Sequence, residues 1–280
     1  MSNFFSSPND ETRKRARGGQ DGFNPAPGFR QPLDQKAGTL NASRKIEVVP
    51  LNGLLANRLL SKLPAEEFAP LLPYLEPVSL SVGQELYKLD EEIKFIYFPE
   101  TAVISHFHIL ANGGMTEAAL IGREGMLGLS AVFNSPPPSY LTQVALAGNA
   151  LRVRAGIFRH LFALGASLRQ TVLGYASARM AHLSQRVVCN ANHRIEERFC
   201  TWLLMVSDRT GEDQLALTHE QIARHLGARR AGVTEVACSL RQKNIIEYGR
   251  GQIRIIDRPF LELSACECYS SVRLKFDAVS

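Results

Sequence analysis

Residues 215–257, LALTHEQIARHLGARRAGVTEVACSLRQKNIIEYGRGQIRIID, restrict the fold more than any other stretch, because every local cue in them specifies the same supersecondary unit. Thr218 with Gln221 three places on is a capping box that satisfies two amide donors at a helix start. Ile222, Ala223 and Leu226 give that helix a buried face, and Gly227 ends it in a tight turn. A second helix is expected from about Arg229 to Lys243, with Val233, Val236, Ala237 and Leu240 on its inner stripe. Ile245 and Ile246 then lead into Glu247, Tyr248, Gly249, Arg250 and Gly251, and Ile253 and Ile255 alternate beyond them, which reads as strand, glycine turn and strand.

A short helix, a glycine turn and a second helix with basic residues in its first turn is the arrangement that sets side chains against base edges in a major groove. The contact candidates are Arg229, Arg230 and Thr234 on the second helix, with Thr218 and His219 at the start of the first. Arg250 at the hairpin tip and Arg254 on its exposed face are placed to grip phosphates, which fixes register without reading sequence. The helix-turn-helix shape also occurs in proteins that bind no DNA, where such arginines only solvate a face. The hairpin at this spacing, with an arginine at its tip, favours the groove reading. A net charge of +5 and a pI near 9.0 are compatible with a polyanionic partner but do not establish one.

Upstream, 280 residues are enough for two modest domains and a tail. Residues 1–46 are polar, glycine- and proline-rich and aperiodic, the pattern of a disordered tail; the basic cluster Arg13, Lys14, Arg15 and Arg17 within it is read as solvated. Residues 47–166 are expected to form an antiparallel β-roll. Two short amphipathic helices come first, between Asn57 and Leu75, with Pro64 in the first turn of the second. Short strands follow through Val78, Leu80, Val82, Phe95, Tyr97, Val103, Phe107, Ile109, Leu120 and from Val144 to Val153, broken at glycines and Pro99, and a helix covers them from Ala155 to about Ala163. Residues 167–191 are a long helix on which Leu173, Ala176, Met180, Leu183 and Val187 step by three and four, an a/d seam read as a homodimer interface. Residues 192–280 complete the chain as the winged helix-turn-helix domain, so the fold class is α+β.

Five cysteines, Cys189, Cys200, Cys238, Cys266 and Cys268, are an odd number confined to the second half, which suggests no disulfide framework and suits a reducing cytoplasm. Cys266 and Cys268 are expected on divergent faces of a terminal helix as buried structural residues. His106 and His108 alternate on one strand and share a face; they are read as ordinary sheet-surface histidines rather than metal or haem ligands. No apolar run is long enough to span a membrane and the amino terminus has no signal-peptide pattern. No phosphate loop, His-Glu zinc helix or nucleophile elbow occurs, so an enzyme is disfavoured, and no cofactor or metal is expected.

With its strand-rich segment containing GREGMLGL, its long helix ending near Asn190, and LTHEQIARHLGARRAGVTEVACSLRQKNII followed by a wing, the chain resembles the Crp/Fnr superfamily of bacterial regulators from Asn57 to Tyr269. The resemblance implies a homodimer on double-stranded DNA with a near-palindromic site, RNA polymerase as a further candidate partner, and an unidentified small-molecule effector in a roll resembling cyclic-nucleotide-binding domains. It matches Arg230 to a base-reading arginine, while Ala231 stands where many members place a glutamate and Glu235 where some place a second arginine, so the site sequence should differ from the best-known ones. Arg229 replaces the usual small capping residue.

The resemblance makes Arg123, Glu124, Gly125 and Met126 the candidate effector positions, although Arg123 and Glu124 are favoured as an ion pair in a surface loop. Nucleotide-binding members have a glutamate at the place of Met126 and an arginine in the region equivalent to Asn134–Thr142, which here contains none, so no tight cyclic-nucleotide binding is expected. No cysteine precedes Cys189, so the amino-terminal iron–sulfur cluster of some members is absent. Two competing readings are a module that signals through a protein partner without specific DNA binding, and a DNA binder with no effector.

Overall fold

The computed structural model describes residues 55–111 and 113–279; the tail and its basic cluster lie outside them. Two four-residue helices open the described chain, α1 (Arg58–Ser61) and α2 (Ala65–Phe68), followed by a single 3-10 turn at Leu72–Tyr74. Pro64 is the N-cap of α2 rather than a residue of its first turn, a place where a missing N–H also costs nothing.

Seven strands follow: β1 (Glu76–Leu80), β2 (Glu85–Tyr87), β3 (Phe95–Pro99), β4 (Val103–Ile109), β5 (Met115–Ile121), β6 (Leu141–Leu146) and β7 (Gly148–Arg154). They pair antiparallel into a three-stranded sheet, β1-β7-β3, and a four-stranded sheet, β2-β6-β4-β5, with the short helix α3 (Leu129–Val132) between β5 and β6. Val82, expected to continue the alternation of β1, lies beyond the strand and is exposed. α4 (Ala155–Leu164) packs on β3 and β7, as the lid reading required.

α5 (Ala166–Asn192) is the long helix. Leu168, Val172, Tyr175, Ala178, Arg179, His182 and Cys189 on one side of it are buried. The seam lies on the other side: Leu173, Met180 and Val187 are 50, 72 and 70% exposed, Leu183 is exposed as well, and Ala176 is half-buried.

α6 (Ile195–Thr210) crosses into the carboxy-terminal half, where ten of its residues are buried. Then come β8 (Gln214–Leu215), α7 (His219–Leu226), α8 (Arg230–Gln242), β9 (Ile246–Gly249), β10 (Gln252–Ile255), α9 (Arg258–Ser264) and α10 (Cys268–Asp277). The wing hairpin gains a third strand unforeseen in the sequence, because β8 pairs with β10 through Leu215 and Ile253. One contiguous apolar core runs from Leu59 at the roll end through Tyr175 and Trp202 to Phe276.

Candidate nucleic-acid interface

The first helix of the motif begins as its sequence demands. The Gln221 amide donates to Thr218 Oγ1 at 3.2 Å, and the Thr218 amide donates to Gln221 Oε1 at 2.8 Å. Gly227 caps the far end at φ +59°, in the left-handed region a glycine enters without a Cβ penalty. In α8, Val233, Val236, Ala237 and Leu240 are all buried, each contributing about 1.5–3 kcal/mol when it is as large as valine or leucine. That buried stripe turns the opposite face outward: Arg229, Arg230, Ala231 and Glu235 are exposed.

Arg229 is the N-cap of α8 without a side-chain cap bond; its carbonyl accepts from the Val233 amide at 3.3 Å. Thr234 is half-buried, donates its hydroxyl to the Arg230 carbonyl at 3.0 Å and lies 3.1 Å from His219 Nδ1. His219 also packs on Tyr248, with ring centroids 4.8 Å apart. Burial first, and then the neighbouring Arg230 charge, lower the His219 pKa from the ordinary histidine value. Thr218, His219, Thr234 and Arg230 therefore form one connected edge where the two helices meet.

On the wing, Arg250 (φ +51°) and Gly251 (φ +76°) form the turn between β9 and β10, both with the left-handed backbone that a two-residue hairpin needs. Arg250 is exposed at the tip. Arg254 faces Glu247 across the hairpin, with a 3.9 Å ion pair between two exposed side chains, a contact weak enough for a phosphate to displace.

With that geometry in place, residues 197–263 match the family of Crp-like helix-turn-helix domains. The chain has the Crp/Fnr fold and carries its helix-turn-helix domain. Solved structures agree on the fold: FixK2 from Bradyrhizobium japonicum superposes with a TM-score of 0.60 at 17% identity, covering 69% of this chain and 98% of the other. A transcriptional regulator of this family from Eubacterium rectale gives 0.57 at 17%, covering 74% and 97%, and one from Thermus thermophilus gives 0.55 at 21%, covering 68% and 98%. No curated protein matches the chain in sequence.

In the Crp/Fnr roll the four candidate effector positions are filled by the protein itself. The expected Arg123–Glu124 loop pair does not form. Glu124 is buried and accepts from Arg209 Nε at 2.9 Å and from the Gly122 amide, while Arg123 Nε donates to the Asp208 carbonyl at 3.0 Å. Arg209 and Asp208 belong to α6, so long-range partners outcompeted the sequence neighbour. Met126 is core, its carbonyl accepting from the Tyr175 hydroxyl at 3.1 Å, and a Cβ on Gly125 would stand 2.4 Å from that hydroxyl oxygen.

The histidine reading is half corrected. His108 is exposed, but His106 is buried, stacked on Tyr140 with centroids 4.3 Å apart, and its Nδ1 lies 3.2 Å from Arg179. Burial, reinforced by the Arg179 charge, holds His106 well below the usual histidine range. A cation at that distance is a poor neighbour for a metal.

Three groupings escaped the sequence reading. On β5, Glu117 is buried and accepts from Ser105 Oγ at 2.7 Å and from Arg186 of α5 at 3.0 Å, and it touches the His225 ring of α7. Arg186 also donates to the His225 carbonyl at 2.7 Å, so a single carboxylate ties roll, long helix and helix-turn-helix together. A lone charged residue, Glu117, in the strand MTEAALI was the available signal. The Arg209–Glu124 pair is the second grouping. The third overturns the divergent placement of Cys266 and Cys268: they flank the start of α10, and their sulfurs converge with Cys189 and His193.

Proposed function

We propose that this protein is a sequence-specific DNA-binding transcription regulator that acts as a homodimer, inserting α8 in the major groove. The observation that carries the reading is the division of α8 into a fully buried apolar stripe and an outer face that begins with Arg229 and Arg230, beside an arginine-tipped wing. Arg230 reads a base edge; Arg229, Arg250 and Arg254 hold phosphates; Thr218, His219 and Thr234 fix the helix pair at the groove edge. Pairing of two α5 seams sets two recognition helices about one DNA turn apart and matches them to a near-palindromic site. Arg123 and Glu124 serve as struts between the roll and α6, and Gly125 and Met126 pack on Tyr175 of α5, rather than acting as ligand contacts. The same contacts give an effector that moves the roll a route to the DNA-binding half.

The reading is tested by selecting bound duplexes from a randomised pool and repeating the binding with Arg230→Ala over a range of salt. A two-fold symmetric motif is expected, with affinity for it reduced by about 1–3 kcal/mol in the variant and falling linearly with the logarithm of salt concentration. Failure of any motif to enrich would transfer the reading to a module that signals through a protein partner.

A further inference from the structure

The residues left unexplained by DNA binding lie where α5 ends and α10 begins. Cys189 and His193 are one turn apart at the carboxy end of α5, with His193 as its C-cap. Cys266 and Cys268 bracket Glu267, the N-cap of α10. The three sulfurs and one imidazole nitrogen all lie within 4.8 Å of one another. Cys189 Sγ is 3.6 Å from Cys266 Sγ, and Cys268 Sγ is 3.5 Å from His193 Nδ1. A tetrahedral ion with Zn–S bonds of about 2.3 Å and a Zn–N bond of about 2.0–2.1 Å has ligand edges of about 3.8 Å between sulfurs and about 3.5 Å between sulfur and nitrogen. Two donor pairs thus already stand at tetrahedral edge lengths, and with all four donors within 4.8 Å a small contraction closes the set around one mononuclear ion. We propose that Cys189, His193, Cys266 and Cys268 bind one zinc ion.

The surroundings are those of ligands rather than of packed thiols. The three cysteines form a buried cluster of their own, separate from the main apolar core. Thr201 Oγ1 accepts the Cys266 amide at 3.2 Å and lies 3.1 Å from its sulfur, so the hydroxyl proton is free to point at Sγ. Gln185 Nε2 donates to Cys268 Sγ at 3.0 Å. Both contacts favour thiolate. His193 Nε2 lies 3.2 Å from Glu267 Oε1, the carboxylate–histidine relay that fixes the tautomer and leaves Nδ1 free for a metal. Arg198 lines the adjoining cavity with Cys189 and Cys268, and its charge couples to Cys189 and Cys266, which offsets part of the excess negative charge of three thiolates on a divalent ion.

Donor chemistry selects the metal. Three thiolates and an imidazole suit a borderline-soft tetrahedral ion and exclude magnesium and calcium, which require oxygen ligands. A multinuclear iron–sulfur cluster distributes its thiolates over several irons and needs them farther apart than this. The ion would tether α10 to the end of α5, directly before the His193–Arg194 step into α6 and the helix-turn-helix. The inference is independent of the DNA-binding reading, since nothing in it invokes the recognition face.

Full-length protein, reduced, stripped of metal and checked for fold by circular dichroism, is titrated with zinc against a chromogenic chelator and, separately, with cobalt(II) as a spectroscopic stand-in. One equivalent per chain is expected, with the intense thiolate-to-cobalt charge transfer and d–d bands of a tetrahedral site. Cys268→Ser should lose the high-affinity equivalent, and Glu267→Gln should weaken it about 10- to 100-fold. His193→Cys should retain it as a four-thiolate site, and Cys200→Ser, outside the group, should leave it unchanged. Folded wild-type protein that takes up no zinc, a Cys268→Ser variant that binds as well as wild type, iron with inorganic sulfide in the purified protein, or a Cys189–Cys266 disulfide as its stable state would each overturn the assignment.

Discussion

Glu117 shows how a single residue can set the acid limit of a fold. Burial by itself would raise its carboxyl, but His225, Arg186 and Ser105 outweigh that and bring the pKa down from 4.5 to about 2. A folded-state pKa below the unfolded one contributes stability that is present above about pH 4.5 and is lost as the pH falls towards about 2. Thermal melts should therefore drop through that window, and Glu117→Gln should flatten the drop. At neutral pH the variant should be destabilised by about 3–5 kcal/mol, because Arg186 is left without its counter-charge. An acid limb unchanged in the variant would show that other carboxylates set it. Gly125 illustrates steric limits at the same scale. The Tyr175 ring, wholly buried, leaves no volume for a Cβ, so Gly125→Ala should cost about 1–3 kcal/mol in denaturant unfolding, with no change in m-value.

Among elements, those built from local cues were legible before the structure. The capping box, Gly227, the inner stripe of α8 and the hairpin turn each depend on residues a few places apart, and each forms as expected. β8 was missed because a two-residue strand has no period to detect; it exists only because β10 offers it an edge. The effector-loop pair and the terminal cysteines were misplaced for a related reason: Glu124 is satisfied 85 positions away by Arg209, and Cys266 meets Cys189 77 positions away. No spacing rule reaches that far. The α5 seam was legible as a pattern, and its partner is tested by Met180→Glu. Met180 is 72% exposed in the single chain, so the variant should shift sedimentation from dimer to monomer while changing monomer stability by no more than about 0.5 kcal/mol. An unchanged dimer would place the interface elsewhere.

At the scale of the whole molecule, the core does not divide at the junction between α5 and α6. Leu59, Tyr175, Trp202 and Phe276 belong to one apolar cluster, and the polar ties at Glu117 and Glu124 cross the same boundary. Thermal unfolding followed by near- and far-ultraviolet circular dichroism should show one coincident transition; two separated transitions would mean that the halves are energetically independent. The Glu117 tie also bears on how such chains can recombine. A chimera that grafts a foreign DNA-binding half after α5 would keep a sealed carboxylate with no ring of α7 against it, and a graft made before α5 would also remove Arg186. Exchange of parts is therefore constrained to pieces that bring a matching partner for that one acid, which makes the seam between the two halves a compatibility lock.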